Sequence, residues 1–321
     1  MIQELEQEIY KGKRLNKEEA MSLWDAPLDE LCQAADRIRQ HFCGNAFDIC
    51  TIINGKSGRC TEDCKYCAQS ACYHAEVEEY PLLDTGTIKK AALENEAKGV
   101  LRFSVVTSGR ALSGEEIDKV CESYRAIGKE SGIKLCASHG LLSYEQFVKL
   151  KEAGVVRYHN NLESSRRYFA GVCSTHTYDE KIEAIQNARR AGLTVCSGGI
   201  IGMGETLEDR VDLAMTLQEL GIRSIPVNVL NPIPGTPYGE LKPLTREEVS
   251  RTVAIFRFVN PEAMIRLAGG RGLLGDKGRM AFCSGANAAI SGDMLTTAGI
   301  TVQTDMELLA ELGYTPKLCE L

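Results

Sequence analysis

The sequence predicts a (β/α)8 barrel of the TIM type behind an N-terminal helical extension. Eight short apolar segments recur between residues 46 and 300, and amphipathic segments with apolar residues at helical spacing stand between them. Several of the helical patterns end on glycine (Gly99, Gly154, Gly192, Gly221), the usual helix C-terminal signal. Eight strands alternating with helices over about 250 residues is the pattern of such a barrel. An open doubly wound sheet is the competing arrangement. No GxGxxG or P-loop motif supports nucleotide binding of the Rossmann or Walker kind.

Residues 1–42 read as two helices broken near 22–27, where Pro27 stands; LDELCQAADRIRQHF has apolar residues at helical spacing. The strands expected after them are FDICTII (47–53), LRFSVV (101–106), IKLCAS (133–138), VVRYHNN (155–161), LTVCSGGI (193–200), SIPVNVL (224–230), AMIRLA (263–268) and a weaker one at 288–292. The intervening helices are IKKAALENEAKG, EEIDKVCESYRAIGKE, YEQFVKLKEAG, YDEKIEAIQNARRAG, LEDRVDLAMTLQELG and TREEVSRTVAIFRF. Residues 1–45 are expected to form the extension, 46–300 the barrel, and 301–321 a C-terminal segment closing the barrel.

Composition is that of a globular protein, 44% hydrophobic and 25% charged, with a net charge of −7. No Lys/Arg cluster is dense enough to follow a phosphate backbone, which argues against a nucleic-acid partner. No apolar run is long enough for a membrane span, and the polar N-terminus lacks the apolar core of a signal peptide, so a cytoplasmic location is expected. Thirteen cysteines, an odd number, fit metal binding or catalysis in a reducing compartment better than a disulfide framework.

The sharpest motif follows the first strand: Cys60-Thr-Glu-Asp-Cys64-Lys-Tyr66-Cys67, spaced CxxxCxxC. Three thiolates on a four-iron cluster leave one iron open to a substrate or cosubstrate. A zinc site would need a fourth ligand, and no second CxxC or His pair is evident. This loop resembles that of the radical S-adenosylmethionine (SAM) superfamily. The resemblance implies a [4Fe-4S] cluster on Cys60, Cys64 and Cys67, SAM on the open iron, and Tyr66 near the adenine.

The surrounding NGKSGRCTEDCKYCAQS (54–70) resembles the biotin synthase family in particular, and further segments agree in order: YHNNLE (158–163), CSGGIIGMGET (196–206), Pro226-Val-Asn228, PGTP (234–237), RLAGGR (266–271) and Gly285-Ala-Asn287. By this resemblance Thr107, Gly198, Ile200 and Gly202 belong to the SAM site. Asn161 and Glu163 alternate at a strand end, so their side chains share a face suited to ribose hydroxyls and a ureido ring. The family commonly carries Asp where this chain has Glu163. Asn228 resembles the family's ureido-binding Asn; a neighbouring backbone carbonyl would serve its amide equally well.

Cys50, Cys136 and Cys196 fall within strands, as does Arg266. A barrel interior is ordinarily packed with branched aliphatics, so these are odd filler, and a buried guanidinium needs an anion. The resemblance implies an auxiliary iron–sulfur cluster, often [2Fe-2S], held by three barrel cysteines and an arginine. Cys136, Cys196 and Arg266 match three of those positions; the fourth matches Ser104. Cys50, on the neighbouring strand, is expected to replace the missing thiolate, and the cluster to be of another type, for example four-iron. Cys43 and Cys283 stand as reserve ligands. Cys32, Cys121 and Cys319 read as structural, Cys72 and Cys173 have no assignment, and His74, His139 and His176 read as solvated or capping.

The reaction implied is radical sulfur insertion into dethiobiotin, with Arg266 and the three loop cysteines as the catalytic set, flavodoxin or ferredoxin as electron donor, and a homodimer as the assembly. Other radical SAM enzymes of the same fold, a hydrogenase maturase or a methylornithine synthase, and a non-catalytic iron–sulfur or zinc protein are the alternatives.

Overall fold

The computed structural model describes residues 1–319. Ten strands occur: β1 Ala46–Lys56, β2 Arg102–Thr107, β3 Lys134–Ser138, β4 Val155–His159, β5 Thr194–Cys196, β6 Gly199–Ile201, β7 Ser224–Val229, β8 Met264–Leu267, β9 Ala288–Ser291 and β10 Thr315–Pro316. All pairings between them are parallel, and β9 returns to β1 at Asp48–Ala288 through Thr51–Ser291, so the sheet closes on itself. Both β5 and β6 pair with β7 and together make one interrupted barrel strand, which leaves eight around the barrel. Each expected strand is present. The interruption falls at Ser197–Gly198, where a Cβ on Gly198 would stand 1.9 Å from the Pro226 carbonyl oxygen.

The helices are α1 Ile2–Tyr10, α2 Lys17–Ser22, α3 Leu28–Cys43, α4 Thr85–Ala97, α5 Gly114–Gly128, α6 Tyr144–Glu152, α7 Arg166–Val172, α8 Tyr178–Arg190, α9 Leu207–Glu219, α10 Arg246–Val259, α11 Arg279–Phe282 and α12 Val302–Glu311. Capping boxes start α5, α6, α8, α9 and α10, fixing where each loop turns into its helix. The extension holds three helices rather than the two expected. Asn16 and Glu19 form a further capping box that starts α2, and the predicted break is a 3-10 turn at Leu23–Asp25. Among the described residues no helix is long and apolar enough to cross a membrane.

Strand alternation sorts the barrel into two environments. Phe47, Ile49, Phe103, Val105, Leu135, Val195, Ile225 and Ile265 are buried in the apolar core shared with the helices. The alternate positions, among them Cys50, Arg102, Ser104, Cys136, Arg157, Cys196 and Arg266, line a cavity inside the barrel. The axis of this barrel is therefore polar and sulfur-rich.

The sheet closes by β9 on β1, and the C-terminal segment contributes α12 and the short β10, which extends the sheet beside Ala46 and Phe47. α12 is fastened by the buried Asp305, whose two oxygens each accept from Arg271 at 2.6 Å and which also accepts from Ser291. Removing one member of a buried pair strands the other charge. Asp305→Ala is thus expected to cost about 3–5 kcal/mol of unfolding free energy. Urea unfolding of the variant beside wild type measures this, and an unchanged midpoint would contradict the role given to the pair.

Candidate active site

The CxxxCxxC loop is folded by its own backbone. Cys60 N–H donates to the Gln69 carbonyl at 3.0 Å, Ala71 N–H to Cys60 at 2.8 Å and Cys67 N–H to Cys64 at 2.9 Å. Gly58 N–H donates to the Gln69 side chain at 3.1 Å, and Ser70 Oγ to the Glu62 carbonyl at 2.6 Å. The turn into the loop puts Gly58 (φ +77°) and Arg59 (φ +49°) in the left-handed region. Burial pushes the Cys60 thiol up and Cys67 up to about 11. A hydrogen bond with Cys173, then burial, raises Cys64 further. Such thiols ionise on binding a metal, and the loop presents three soft donors to one cavity, which fits an iron–sulfur cluster.

That cavity, about 410 Å³, is lined by Cys60, Cys64 and Cys67 at its mouth and by Cys50, Cys136 and Cys196 deeper in the barrel. The loops that follow the strands supply its rim, the usual place for a barrel active site. Tyr66, Thr107, Asn161, Glu163, Ile200 and Asn228 all reach it. Gly198 and Gly202 lie outside the lining and act on the turn: Gly202 (φ +95°) gives its N–H to Glu205 at 2.8 Å, and Glu205 is in turn held by Arg210 at 2.7 Å.

Several rim side chains are partly committed. Asn161 Oδ1 accepts from Gly198 N–H at 3.1 Å. Asn228 donates to the Gly199 carbonyl at 3.1 Å and accepts from Gly269 N–H at 2.9 Å, which leaves one amide hydrogen. Thr107 Oγ1 lies 3.0 Å from His139 Nδ1. Glu163 is a non-glycine residue at φ +69°, held by backbone bonds to Gly198 and Ile200 at 3.1 and 2.8 Å. Its Oε2 is buried without a partner, a cost that a ligand hydroxyl would remove. Burial, and then the Glu163 carboxylate, push the Tyr66 hydroxyl far above its ordinary range.

The barrel floor brings Cys50, Cys136, Cys196 and Arg266 into the same cavity. Arg266 Nη1 donates to the carbonyls of Asp48 and Ala289 at 2.9 and 2.8 Å, and Nη2 to Asp48 Oδ1 at 2.6 Å. Burial disfavours its charge, but Asp48, Cys50 and Cys196 outweigh that and keep it protonated. Arg266 thus lies in the cavity beside Cys50 and Cys196, with its terminal nitrogens bonded to Asp48 and Ala289. Asp48 also accepts from Arg102 Nε at 2.8 Å. Cys136 is drawn below the ordinary thiol range, first by a hydrogen bond from Cys50 and then by Arg157 and Arg102. Burial would raise Cys196; a hydrogen bond with His159 and the charges of Arg266 and Arg157 bring it down.

Other assignments change. Cys43, at the end of α3, has its Sγ 3.6 Å from Arg257 Nη1 and lies apart from the cavity; Cys283 is exposed at the end of α11. Neither reserve ligand is brought to the barrel cysteines. His139 is fully buried, with burial pushing its pKa down to about 3, so it is not solvated. Cys173 and His176, unassigned or solvated in the sequence reading, stand with Cys64, their donor atoms all within 4.8 Å. Glu62 Oε2 lies 2.5 Å from His176 Nδ1 and Asp63 Oδ1 3.1 Å from Cys173 Sγ. Arg102, Arg157 and Asp48 were legible by the argument already applied to Arg266: charged residues at inward-facing strand positions.

Comparison with known proteins agrees with this geometry. The profile of the Radical SAM superfamily matches residues 56–217, and that of the Biotin and Thiamin Synthesis associated domain residues 226–315. The chain is similar to the biotin synthase of Brachyspira hyodysenteriae, 57% identical over 99% of this chain and 96% of the relative. It is also 56% identical to that of Akkermansia muciniphila, over 95% of each chain. Among solved structures it is similar in fold to a methylornithine synthase (TM-score 0.85, 17% identity, 98% and 97% of the two chains). A maturase of the [FeFe]-hydrogenase matches with TM-score 0.82 and 20% identity, over 99% of this chain and 76% of the other. By its identity to those relatives over nearly its whole length, and by both domain profiles, the chain belongs to the biotin synthase family of radical SAM enzymes.

Proposed function

We propose that this chain converts dethiobiotin to biotin by radical sulfur insertion. The observation that carries the reading is that two cysteine sets far apart in sequence open into one cavity: the loop set at its mouth and the strand set deeper in the barrel. A four-iron cluster on Cys60, Cys64 and Cys67, with SAM on its open iron, would supply the hydrogen-abstracting radical, and an auxiliary cluster on Cys50, Cys136 and Cys196 would supply the sulfide.

The remaining work belongs to the protein. Tyr66 offers a face to the adenine, with the Ile200 backbone beside it. Asn161 and the unpartnered carboxylate oxygen of Glu163 take ribose hydroxyls, while Thr107 borders the same rim. The free amide hydrogen of Asn228 is available to a ureido carbonyl. Ile52, Val106, Val229, Leu230 and Ile290 line the walls and exclude water, which a reactive carbon radical requires. Holding cofactor and substrate along one axis converts abstraction and sulfur capture into steps between neighbours.

Ser104 in place of a cysteine, with Cys50 offering its thiol from the neighbouring strand, supports an auxiliary cluster of four-iron rather than [2Fe-2S] type. The second thiol set likewise favours sulfur insertion over a chemistry that needs the loop cluster alone. The division into 1–45, 46–300 and 301–321, a flavodoxin or ferredoxin donor, a homodimer and a cytoplasmic setting belong to the same proposal.

Two measurements test it. In a Cys60→Ala/Cys64→Ala/Cys67→Ala variant purified anaerobically, SAM cleavage under dithionite is expected to vanish while iron and acid-labile sulfide persist; Mössbauer spectra of that iron report two or four irons. Loss of all iron would reduce the reading to a generic radical SAM enzyme. Separately, Cys50→Ala is expected to lose auxiliary iron, and full retention would remove Cys50 from the ligand set.

A further inference from the structure

A third group of soft donors is built at the rim. Cys64 stands in the CxxxCxxC loop, while Cys173 and His176 follow α7 in the segment Cys173-Ser-Thr-His176. The two sulfurs and one ring nitrogen of His176 lie within 4.8 Å of one another. A tetrahedral zinc-sized ion, with bonds of about 2.0–2.3 Å, sets its donors about 3.8 Å apart or less, so small side-chain movements close the gap. Cys173 is 5% exposed and His176 7%. His176 Nδ1 lies 2.5 Å from Glu62 Oε2 and 3.3 Å from Cys173 Sγ, while Nε2 is buried with no partner among the described residues. A carboxylate on one ring nitrogen is the usual support of a metal-binding histidine, because it fixes the tautomer and leaves the other nitrogen its lone pair. Backbone bonds tie the two segments together. Asp63 Oδ1 accepts from the N–H groups of Ser174 and Thr175 at 2.8 and 3.2 Å, and Asp63 N–H donates to Thr175 Oγ1 at 3.2 Å. Donors distant in sequence are thereby held as one set.

We propose that Cys64, Cys173 and His176 bind a single divalent transition-metal ion of the zinc or ferrous class before the loop cluster is assembled, with Glu62 orienting His176. Two thiolates and an imidazole suit such an ion; Ca²⁺ and Mg²⁺ take oxygen ligands instead. Cys64 cannot be a terminal ligand of this ion and of the loop cluster at once, so the ion competes with the cluster and leaves as it forms. The metal site stands on the geometry of its own donors. Only the competition rests on the reading of Cys60, Cys64 and Cys67 as a cluster site.

The probe is Zn²⁺, added under reducing, anaerobic conditions to the full chain stripped of iron and sulfide, with affinity read by competition against a chromogenic chelator. One Zn²⁺ per chain is expected. Glu62→Gln should weaken binding by about ten-fold, the range found when a metal site loses an outer partner, and Cys173→Ser and His176→Gln by more. Cys60→Ala/Cys67→Ala removes two loop cysteines and none of the proposed ligands, so its affinity should match wild type. Zn²⁺ should raise the Tm of wild type and of that double variant but not of Cys173→Ser, whose metal-free Tm should equal the parent's. Two results overturn the proposal: wild-type affinity in both Cys173→Ser and His176→Gln, or affinity lost in Cys60→Ala/Cys67→Ala, which would put the zinc on the three loop cysteines. On reconstitution with iron and sulfide, SAM cleavage under dithionite should appear more slowly in the Zn²⁺-loaded wild type than in the metal-free chain, with no such difference in Cys173→Ser. Equal rates in wild type would remove the competition. SAM cleavage absent from both, with zinc still bound, would sink the loop-cluster reading and leave the metal site standing.

Discussion

A carboxylate with no solvent exposure, Asp48, joins two arginines across the floor of the barrel. Barrel interiors are ordinarily packed by branched aliphatic side chains, which need no partners. Here the inward positions carry Cys50, Arg102, Cys136, Arg157, Cys196 and Arg266, and Asp48 pairs two of the three guanidiniums. Arg266 spends its terminal nitrogens on Asp48 and on the strand carbonyls of Asp48 and Ala289. It therefore bridges β8 to β1 and β9 at the seam where the sheet closes. The same contacts that keep the site polar also hold the barrel shut.

Above that floor the rim is built from backbone as much as from side chains. The break between β5 and β6 lets Glu163 pair with Gly198 and Ile200 as an extra rung. A Cβ on Gly199 would lie 2.3 Å from the Glu163 carbonyl oxygen, so the rung exists only because glycine stands there. Asn161 and Asn228 brace the same break from β4 and β7. The cost of holding Glu163 at positive φ is met by these bonds, and the result is a carboxylate oxygen fixed at the cavity without a partner.

How much of this is legible in sequence depends on whether the signal is local. The strands are apolar runs of strand length between Gly-ended helices, and every one of the eight appears. CxxxCxxC is a contiguous loop and needs no tertiary knowledge. The N-terminal extension differs from expectation at Asn16-Lys-Glu-Glu19, a capping box that starts a further short helix. The floor is harder. Asp48 in FDICTII and Arg102 in LRFSVV are strand charges of the same kind as Arg266, but their match shows only when β1 pairs with β2 and brings one against the other across 54 residues. The Cys173–His176 cluster is harder still, because CSTH has no period and its carboxylate Asp63 lies 110 residues before Cys173.

The two thiol sets also differ electrically, in a direction that follows from their surroundings. At the mouth, burial and neighbouring thiols raise Cys60, Cys64 and Cys67 with no guanidinium bonded to them. In the floor, a hydrogen bond from Cys50 and then Arg157 and Arg102 lower Cys136, His159 and then Arg266 and Arg157 lower Cys196 against burial, and Cys50 is pushed well up by its bond to Cys136 and by burial. A low-polarity pocket amplifies both effects, since each charge is poorly screened there. Two floor thiols are thus drawn toward the thiolate by their neighbours, whereas the mouth becomes anionic only as metal displaces its protons. The separation of the two sets along one axis gives each its own field within a single cavity.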